Sequence, residues 1–344
     1  TMKKINVEDA VGLPLAHDIT EIRPGEVKGV AFRKGHRVAH EDVCHLMRLG
    51  KRHLFVAEDK AGKVHEDDAV MELARALAGE GTVCDEKPSE GKLQIYAAHD
   101  GLLKINAEAL IAFNMIPDVM CASLHTHTPV TRGQKIAGTR AVPLTIDRAE
   151  LDRAVALAER EAPLISVRPF RPMRVRLAVT GSEVYNGLIQ DRFQGVVEGK
   201  LKDFGATLVE TVILPDDREI IAETLQGFEE KGTDLIVTTG GMSVDPDDVT
   251  RLGIRDMGVH REYYGAGVLP GTMFLLAYRG DLPIMGIPAC ALFHERTVFD
   301  LILPRLLAGD QPDNRDLAAL AHGGLCMDCP VCHYPACPFG KTGR

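Results

Sequence analysis

Three short stretches of the sequence supply glycine, hydroxyl and carboxylate groups in a pattern that suits a phosphorylated ligand. They are TGSE at 180–183, PDD at 215–217 and TTGGMSVDPDD at 238–248, and each follows an apolar run. Glycine lets the backbone turn sharply and brings its N–H groups close to a ligand. Carboxylates beside such loops would repel a bare phosphate unless a cation lies between them. The pattern therefore predicts a site for a phosphorylated ligand bound together with a metal ion.

The elements that must position these loops alternate between strand and helix from Arg174 onwards. The predicted strands are RVRLAVT, ATLVETVIL, DLIVTTG and LPIMGI, and the predicted helices are DRFQGVVEGKLKDFG, DDREIIAETLQGFEEKG, DPDDVTRLGIRDMG and ALFHERTVFDLILPRLL. This alternation implies a parallel sheet with crossover helices and a ligand site at the carboxyl ends of the strands. Glu183, Asp216 and Asp248 then surround one pocket. The alternative for each carboxylate alone is a cap at a helix N-terminus.

The whole chain is predicted to have four parts. Residues 1–60 form a small α+β module with strands around 24–25, a helix over 41–49 and a strand over 54–57. Residues 61–165 form a β-rich module with helices over 67–79, 107–114 and 148–160. The segment 162–173, APLISVRPFRPM, is a linker or an inter-domain strand. Residues 166–310 form the α/β domain, and 311–344 form a cysteine-rich tail.

Composition excludes several classes of function. The formal net charge of −9 gives no basic footprint for nucleic acid or anionic lipid, and the absence of tryptophan with only 5% aromatic residues argues against base stacking. No apolar stretch is long enough to span a bilayer, and TMKKINVEDA lacks the apolar core of a signal peptide. We therefore predict a cytoplasmic protein with no nucleic-acid or membrane partner.

Five separated motifs carry a resemblance to a known family. In chain order they are TGSE, the G-x-I-x-D run at 187–191, PDD, TTGGMSVDPDD, and VLPG followed by GIPACA. Over 174–308 the sequence resembles the molybdopterin-binding fold of the molybdopterin molybdotransferases, including the E domain of gephyrin, and of the related adenylyltransferases. The resemblance implies a three-layer α/β domain with a mostly parallel sheet, preceded by smaller β-rich α+β modules.

The resemblance also implies a reaction and a set of site residues. Family members insert molybdate into adenylylated molybdopterin with Mg²⁺ and release AMP, which implies molybdopterin-AMP and molybdate as partners here, a homodimer, and a recipient molybdoenzyme. Glu183, Asp216 and Asp248 would position the Mg²⁺ as catalytic carboxylates. The ligand-binding residues carried over by motif are Thr180, Gly181, Ser182, Thr239, Gly240, Gly241 and Ser243.

Three departures from the family pattern keep other functions open. Asp245 replaces a glycine, the segment 287–291 (IPACA) replaces a Pro-Gly-Asn-Pro turn, and EIRPGEVKGVAF stands where S-x-M-D-G-Y-A is expected. That missing stretch supplies active-site residues across a dimer. One alternative is a nucleotide pyrophosphatase, because VDPDDVT resembles the P-T-x-D-D-L-T loop of the competence-damage-inducible family. Another is a non-catalytic molybdopterin carrier or sensor, although the carboxylate trio favours an enzyme.

The tail contains four cysteines within twelve residues, which indicates a metal site. Cys326, Cys329, Cys332 and Cys337 have the spacing C-x2-C-x2-C-x4-C. Zinc sites commonly pair two C-x2-C hooks across a longer loop, whereas successive two-residue gaps are typical of an iron–sulfur run. The spacing favours [4Fe–4S] over Zn²⁺. A reduced tail without metal is the alternative.

Three further residues are weaker candidates. His125 and His127 are predicted to lie at strand spacing on one face, which allows a metal or substrate role, although polar residues at a strand edge are the favoured explanation. Cys290 lies beside the inferred pocket. Its ordinary role is that of a small buried apolar residue, and its functional alternative is a thiol ligand or sulfur relay.

Overall fold

The computed structural model describes residues 3–23, 27–56, 62–243, 245 and 248–341. Its strands in chain order are β1 (Lys3–Asn6), β2 (Ile19–Arg23), β3 (Val27–Phe32), β4 (His53–Val56), β5 (Lys63–His65), β6 (Thr82–Cys84), β7 (Lys92–Ala97), β8 (Gly101–Ile105), β9 (Val119–Ser123), β10 (Pro129–Val130), β11 (Lys135–Ala141), β12 (Thr145–Asp147), β13 (Ile165–Pro169), β14 (Arg174–Thr180), β15 (Thr207–Leu214), β16 (Leu235–Thr239), β17 (Arg261–Tyr264), β18 (Leu275–Arg279) and β19 (Leu282–Ile287). Its α-helices are α1 (His40–Arg48), α2 (Glu66–Leu77), α3 (Ala107–Asn114), α4 (Arg148–Arg160), α5 (Ser182–Tyr185), α6 (Phe193–Lys202), α7 (Arg218–Glu230), α8 (Thr250–Asp256), α9 (Val298–Leu307) and α10 (Asn314–Ala319).

The chain divides into two compact units that do not follow a single cut in the sequence. The first unit comprises Thr1–Tyr96, Asn106–Ser123 and Lys135–Ile165, and the second comprises Ala97–Ile105, Leu124–Gln134 and Ser166–Arg344. The four-part division given above stays a prediction. Within the described residues, no helix has the length and apolar character needed to cross a bilayer.

The first unit is built on a sheet of order β6-β7-β11-β9, against which α2 packs. The apolar residues of α2 recur every three or four positions, as an amphipathic helix requires, and the ones predicted to face the core are all buried. They are Val70, Leu73, Ala74 and Leu77. A smaller N-terminal core is enclosed by the pairs β1–β4 and β2–β3 and by Leu46 of α1.

The second unit contains a six-stranded sheet of order β15-β14-β16-β19-β18-β17. The first four strands run parallel, and β18 and β17 add an antiparallel edge. Side chains alternate between the two faces: Leu177 of β14 belongs to the core that includes α6 and α9, whereas its neighbour Ala178 belongs to the core that includes α7. Helices therefore cover both faces. The predicted three-layer α/β fold with a mostly parallel sheet is confirmed.

This topology brings the three predicted loops to one edge of the sheet. Strand β14 ends at Thr180, β15 at Leu214 and β16 at Thr239, and Thr180 and Leu214 are register partners. Because the strands are parallel, the loops that follow them start at neighbouring points. The sequence order of the strands thus explains why distant motifs meet.

The tail packs back onto the second unit. The Leu269 N–H donates to the Gly324 carbonyl, and the Cys326 N–H donates to the Leu269 carbonyl, each at 2.8 Å. Further along, Phe339 is buried in the core that contains α9, and the Tyr334 hydroxyl donates to the Asp300 carbonyl at 3.4 Å. The end of the described chain is therefore anchored at both sides of its cysteines.

Several element predictions need correction. The helix predicted over 291–307 is wrong in its first half, where a 3-10 turn (Ala289–Leu292) and irregular residues precede α9. The cause is a reciprocal cap: Thr297 Oγ1 accepts from the Phe299 N–H, and Asp300 Oδ2 accepts from the Thr297 N–H. The helix predicted over 245–258 is limited to α8. The hairpin β17–β18 was not predicted. The strands expected around 24–25 correspond to β2 and β3, which flank that position, whereas residues 24–26 themselves lie outside the described residues.

Candidate functional site

A cavity of about 980 Å³ lies at the edge of the sheet where β14, β16 and β19 end. Six of the predicted site residues line it: Thr180, Glu183, Gly240, Gly241, Ser243 and Asp248. The other four predicted residues of these loops, Gly181, Ser182, Asp216 and Thr239, are not among the residues that line it. The structure thus brings the first and third loops together around one space, and the second loop supports them.

The two glycines after β16 allow the backbone to approach its neighbours closely. Gly240 has φ +83°, and a Cβ there would lie 2.1 Å from the Thr180 carbonyl oxygen. Gly241 has φ +53°, and its Cβ would lie 2.3 Å from Thr250 Oγ1. A side chain at either position requires the loops to move apart. The glycines therefore hold the first loop, the third loop and the start of α8 in contact.

Thr180 ties the same loops together from inside. Its buried hydroxyl lies 2.9 Å from the Thr239 carbonyl oxygen, to which it donates, and 2.7 Å from the Thr250 hydroxyl. The Thr239 hydroxyl is also buried and has no hydrogen-bond partner in the described part of the chain. The Thr180 hydroxyl therefore bonds to other protein groups and joins the two loops to α8.

The three predicted carboxylates have different surroundings. Glu183 folds over Gly181, where an added Cβ would lie 3.2 Å from both of its carboxylate oxygens. Asp248 Oδ2 is buried, and no hydrogen bond reaches it within the described ranges. Asp216 instead accepts a hydrogen bond from the Ser182 N–H at 2.7 Å, so that it caps the short helix α5. Two carboxylates face the cavity, and the third positions the first loop.

The neighbouring acidic residues serve as helix caps. Asp217 accepts from the N–H groups of Glu219 and Ile220 at 3.0 Å, at the start of α7. Asp191, in the G-x-I-x-D run, accepts from the Phe193 N–H at 2.8 Å and the Gln194 N–H at 3.1 Å, at the start of α6. Helix capping was the alternative considered for Glu183, Asp216 and Asp248. It describes Asp216, and these two neighbouring residues cap helices as well.

Much of the remaining cavity wall is apolar and was not predicted. It comes from the loop between α5 and α6, the segment before β18 and the turn after β19, and includes Ile189, Leu269, Met273, Leu292 and Phe293. Phe293 is 81% exposed, which is unusual for an aromatic side chain. The sequence contained weak signals for this wall. The motifs VLPG and GIPACA indicated that these segments lie near the pocket, but not that their apolar side chains line it.

Cys290 lies in this apolar wall. Burial raises the pKa of its thiol, against a smaller opposing hydrogen bond from its own backbone. A thiol with a raised pKa is a poorer nucleophile and a poorer metal ligand at neutral pH. The environment therefore favours the apolar role of Cys290 over the sulfur relay.

The four tail cysteines line a second cavity, of about 220 Å³, together with His294 and Arg296. The Arg296 guanidinium lies 3.0 Å from Asp300 and covers the Tyr334 ring. Within residues 3–23, 27–56, 62–243, 245 and 248–341, no three histidine, cysteine, aspartate or glutamate side chains are arranged to hold a metal ion. The thiols share a cavity without converging on a single point.

The prediction that His125 and His127 lie at strand spacing is wrong. Both lie in the turn that precedes β10, and His127 has φ +61°, so the two side chains do not share a strand face. His127 Nε2 is 2.9 Å from Lys104 Nζ, which contacts Asp310 at 2.7 Å. Burial, together with the charges of Arg305 and Lys104, lowers the pKa of His127 to about 3. This environment keeps the imidazole neutral within an ion-pair network.

Comparison with known proteins agrees with the fold and the cavity. Residues 177–308 match the family described as "probable molybdopterin binding domain", and residues 4–58 match a domain of unknown function. The first of these segments, less than half of the chain, is therefore similar to a divergent molybdopterin-binding domain. It contains the strands, the loops and the carboxylates that form the large cavity.

Curated relatives match a shorter part of the chain. A CinA-like protein of Mycobacterium tuberculosis (strain ATCC 25177 / H37Ra) is 36% identical over 77 residues, which are 22% of this chain and 18% of the relative. A CinA-like protein of Thermosipho melanesiensis is 38% identical over 74 residues, again 22% and 18%. The matched region thus spans less than a fifth of the length of these relatives.

Two solved structures are also similar. The molybdopterin biosynthesis enzyme MoaB of Thermus thermophilus is 22% identical, with 40% of this chain and 98% of that chain covered, at a TM-score of 0.34. A molybdenum cofactor biosynthesis protein of Pyrococcus furiosus is 12% identical, with 91% of this chain and 66% of that chain covered, at a TM-score of 0.26.

Proposed function

We propose that the large cavity binds molybdopterin or its adenylylated form and that the protein inserts molybdate into it with Mg²⁺, releasing AMP. One observation carries the proposal most directly. Asp248 Oδ2 is a buried carboxylate oxygen with no partner in the described part of the chain, and it belongs to a glycine-rich loop that lines the cavity. A buried carboxylate oxygen is stabilised by a cation or a hydrogen-bond donor, so a ligand that supplies one fits this position.

The carboxylates that face the cavity suit Mg²⁺ in number and type. Mg²⁺ keeps several waters and is commonly bound by one or two carboxylates together with substrate phosphate oxygens. Glu183 and Asp248 supply two carboxylates, and the ligand would supply the remaining oxygens. Bound there, the ion would offset the charge of the phosphates and of the oxyanion. Asp216 would hold the Ser182 loop in place for this arrangement.

The apolar wall suits the pterin ring system. A planar heteroaromatic ring binds well between apolar and aromatic side chains, because burial removes its faces from water. Met273 and Phe293 offer such surfaces in the same cavity as the carboxylates. A ligand with a flat ring at one end and phosphate at the other therefore matches both parts of the wall.

The test is single-turnover AMP release from adenylylated molybdopterin in the presence of molybdate and Mg²⁺. Glu183→Gln and Asp248→Asn should each lower the rate at least about 100-fold, because they remove charges that act on the transferring groups. Glu198→Gln is the matched control, because Glu198 is exposed on α6 and does not line the cavity. Wild-type rates in both cavity variants would refute the transferase proposal.

A nucleotide pyrophosphatase is the second candidate. It is supported by the curated relatives named CinA-like, which are 36–38% identical over their short matched region. The same two carboxylates would serve a metal-dependent hydrolysis. Release of AMP from ADP-ribose with Mg²⁺ or Mn²⁺, without molybdate, would establish this reaction. Tight molybdopterin binding with neither reaction would favour the carrier or sensor.

We further propose that Cys326, Cys329, Cys332 and Cys337 bind a metal centre, [4Fe–4S] in preference to Zn²⁺. The support is that all four thiols line one cavity and that the first three have the two-residue gaps of an iron–sulfur run, whereas the last gap, of four residues, is one longer than in that run. Metal analysis and optical spectra of anaerobically purified protein test this directly. Cys329→Ser should abolish the metal, whereas Cys44→Ser, at an exposed cysteine of the first unit, should retain it. Wild-type protein without iron or zinc would refute the proposal.

The homodimer and the recipient molybdoenzyme are part of the same proposal. Native mass spectrometry of the full chain should give the mass of two copies. A monomer that still releases AMP would mean that no residue from a second copy is needed for the reaction.

A further inference from the structure

A polar cavity of about 250 Å³ lies within the first unit. We call it the Glu66 cavity. Its polar lining residues are His17, Asp18, Lys34, Glu66, Glu90 and Arg140, with Asp67 adjacent to Glu66. They come from the segment before β2, the turn after β3, the start of α2, the turn before β7, and β11. None of these residues belongs to the molybdopterin-binding segment.

Two residues that line the Glu66 cavity have buried polar atoms without a hydrogen-bond partner in the described part of the chain. Five buried side-chain polar atoms in the described residues have no hydrogen-bond partner, and two of them, His17 Nδ1 and Arg140 Nε, belong to residues that line this cavity. Buried polar atoms in folded proteins are nearly always paired. A ligand that hydrogen-bonds both groups would complete the pairing.

Glu66 is a buried carboxylate without a partner. It is 6% exposed, and its side chain forms no hydrogen bond or ion pair within the ranges that the structure describes. Burial, followed by the charge of Asp67, raises the pKa of Glu66. Arg140 acts on it electrostatically, but the two groups do not form an ion pair in the described structure. Two opposite charges therefore border one space without neutralising each other.

The backbone around Glu66 is shaped to hold this carboxylate. Gly91 has φ +67°, and a Cβ there would lie 2.4 Å from Glu66 Oε2. The residue before it, Glu90, has φ +51°, which is uncommon for a residue other than glycine, and accepts a 2.5 Å hydrogen bond from the Thr20 hydroxyl. Asp67 Oδ1 accepts from the Gly91 N–H at 3.3 Å. The hydrogen bonds from Thr20 and to Asp67 hold the turn in place. The absence of a side chain at Gly91 leaves room for the Glu66 carboxylate.

The charges that border the Glu66 cavity restrict the class of ligand. Four carboxylates and two cations line it, and Lys34 already contacts Asp67 at 3.5 Å. A purely anionic ligand would meet an excess of carboxylates. A metal ion would meet the Arg140 guanidinium, and the described part of the cavity has no set of three side chains arranged as metal ligands. A small molecule that carries both charges matches the free guanidinium and the free carboxylate.

We propose that the Glu66 cavity binds a small zwitterion of the amino-acid class, with its carboxylate on Arg140 and its ammonium group on Glu66. An arginine guanidinium can bind a carboxylate through two parallel hydrogen bonds, which orients the ligand. His17 Nδ1 supplies a further hydrogen bond. The cavity volume is below the range of drug-sized ligand sites, as expected for a ligand of this size.

The test is calorimetric titration of the full chain with individual standard amino acids, with acetate and methylamine as single-charge probes. At least one amino acid should bind, and neither acetate nor methylamine should bind comparably. Arg140→Gln and Glu66→Gln should each weaken that binding at least about tenfold, because each removes one charge-assisted contact. Arg75→Gln, at an exposed arginine of α2, should leave it unchanged.

Arg140→Lys is the variant to use if either of these fails to fold. It keeps the positive charge but loses the paired geometry, and should weaken binding by an intermediate factor. Failure of every amino acid to bind would overturn the proposal. It would also be overturned if acetate bound as tightly as the amino acid, because the site would then recognise an anion alone.

Discussion

The glycine-rich cavity at the strand ends and the cysteine-lined cavity of the tail share one wall residue, Phe293, but they are built differently. The first is held by parallel strands, close glycine contacts and capped helices. The second is enclosed by turns and irregular backbone, and within the described residues its thiols do not converge. A sheet edge can be shaped before its ligand arrives, whereas a cluster of cysteines commonly acquires its final geometry from the metal. The comparison separates a preformed site from one that, if it binds the proposed metal, would depend on its ligand; we call them the preformed and the ligand-dependent site.

The largest expected effect concerns the preformed site. Gly240→Ala places a Cβ 2.1 Å from the Thr180 carbonyl oxygen at a backbone φ of +83°, so that the loops must separate. We expect a loss of about 2–3 kcal/mol in the free energy of unfolding and no detectable molybdopterin binding. Denaturant unfolding and a pterin fluorescence titration measure the two effects.

Gly195→Ala is the matched control for this variant. Gly195 lies in α6, where an added Cβ meets no atom within 4 Å. It should stabilise the protein by about 0.5–1 kcal/mol through helix propensity and leave binding unchanged. If Gly240→Ala behaved like Gly195→Ala, the close contact between the loops would not be needed for the site.

The second expected effect concerns the ligand-dependent site. Removing metal with a chelator should expose the segment 326–337 to proteases, because thiolates this close together need a cation to hold them. Molybdopterin binding should change only a few-fold, because the tail meets this cavity at Leu269 and Phe293 of the apolar wall rather than at the glycine loops. Limited proteolysis with mass spectrometry identifies the cleavage site. Equal protection with and without chelator would show that the tail cavity is also preformed.

The third expected effect is smaller and tests a residue that supports the site. Asp216→Ala removes the acceptor for the Ser182 N–H and should lower turnover about tenfold. Asp216→Asn keeps a carbonyl oxygen in that position and should retain most of the activity. If both variants lost activity equally, the charge of Asp216 would act on the ligand or its metal, as the sequence predicted.

The sequence predicted most of the preformed site because the signals were local. The strands that end at Thr180, Leu214 and Thr239 are apolar runs followed by glycine or acidic loops, and the α/β alternation places their ends together. The contact between Asp216 and Ser182 could not be predicted, because it depends on strand register between segments 34 residues apart. For the same reason the apolar wall around Phe293 was missed.

Two other elements, the start of α9 and the hairpin β17–β18, could have been predicted from local sequence patterns. The T-x-x-D pattern at Thr297 and Asp300 is a capping box, and it indicates that a helix begins at Val298. The runs REYY and FLLAYR are β-type, and they form the hairpin β17–β18. In the tail, C-x2-C spacing predicted that the thiols would lie near one another, but spacing alone does not determine where irregular backbone places each sulfur atom.

A further expected effect concerns the half-buried His127, beside the point where the end of the tail is anchored. Lys341 Nζ donates to the Thr128 hydroxyl at 2.8 Å, next to His127. Because the pKa of His127 falls from 6.5 to about 3 on folding, the unfolded chain binds more protons between these pH values. Stability should therefore rise with pH in this window and be lost as pH falls through it. Thermal unfolding of His127→Gln should show a flatter profile than wild type.

The control for the pH profile is His322→Gln, at an exposed histidine of the same unit. It should reproduce the wild-type dependence. Asp310 also contributes, because its depressed pKa adds stability that is lost only at the acid end of the window. An unchanged slope in His127→Gln would mean that the imidazole is not held neutral in the folded protein.

The most direct test of the central claim is hydrogen–deuterium exchange of the full chain with and without adenylylated molybdopterin. A ligand in the strand-end cavity should slow exchange in peptides covering 180–191 and 238–243, because their N–H groups border the cavity. The segment 326–337 should change less. Protection confined to other parts of the chain, or none at all under saturating ligand, would contradict the assignment of this cavity as the molybdopterin site.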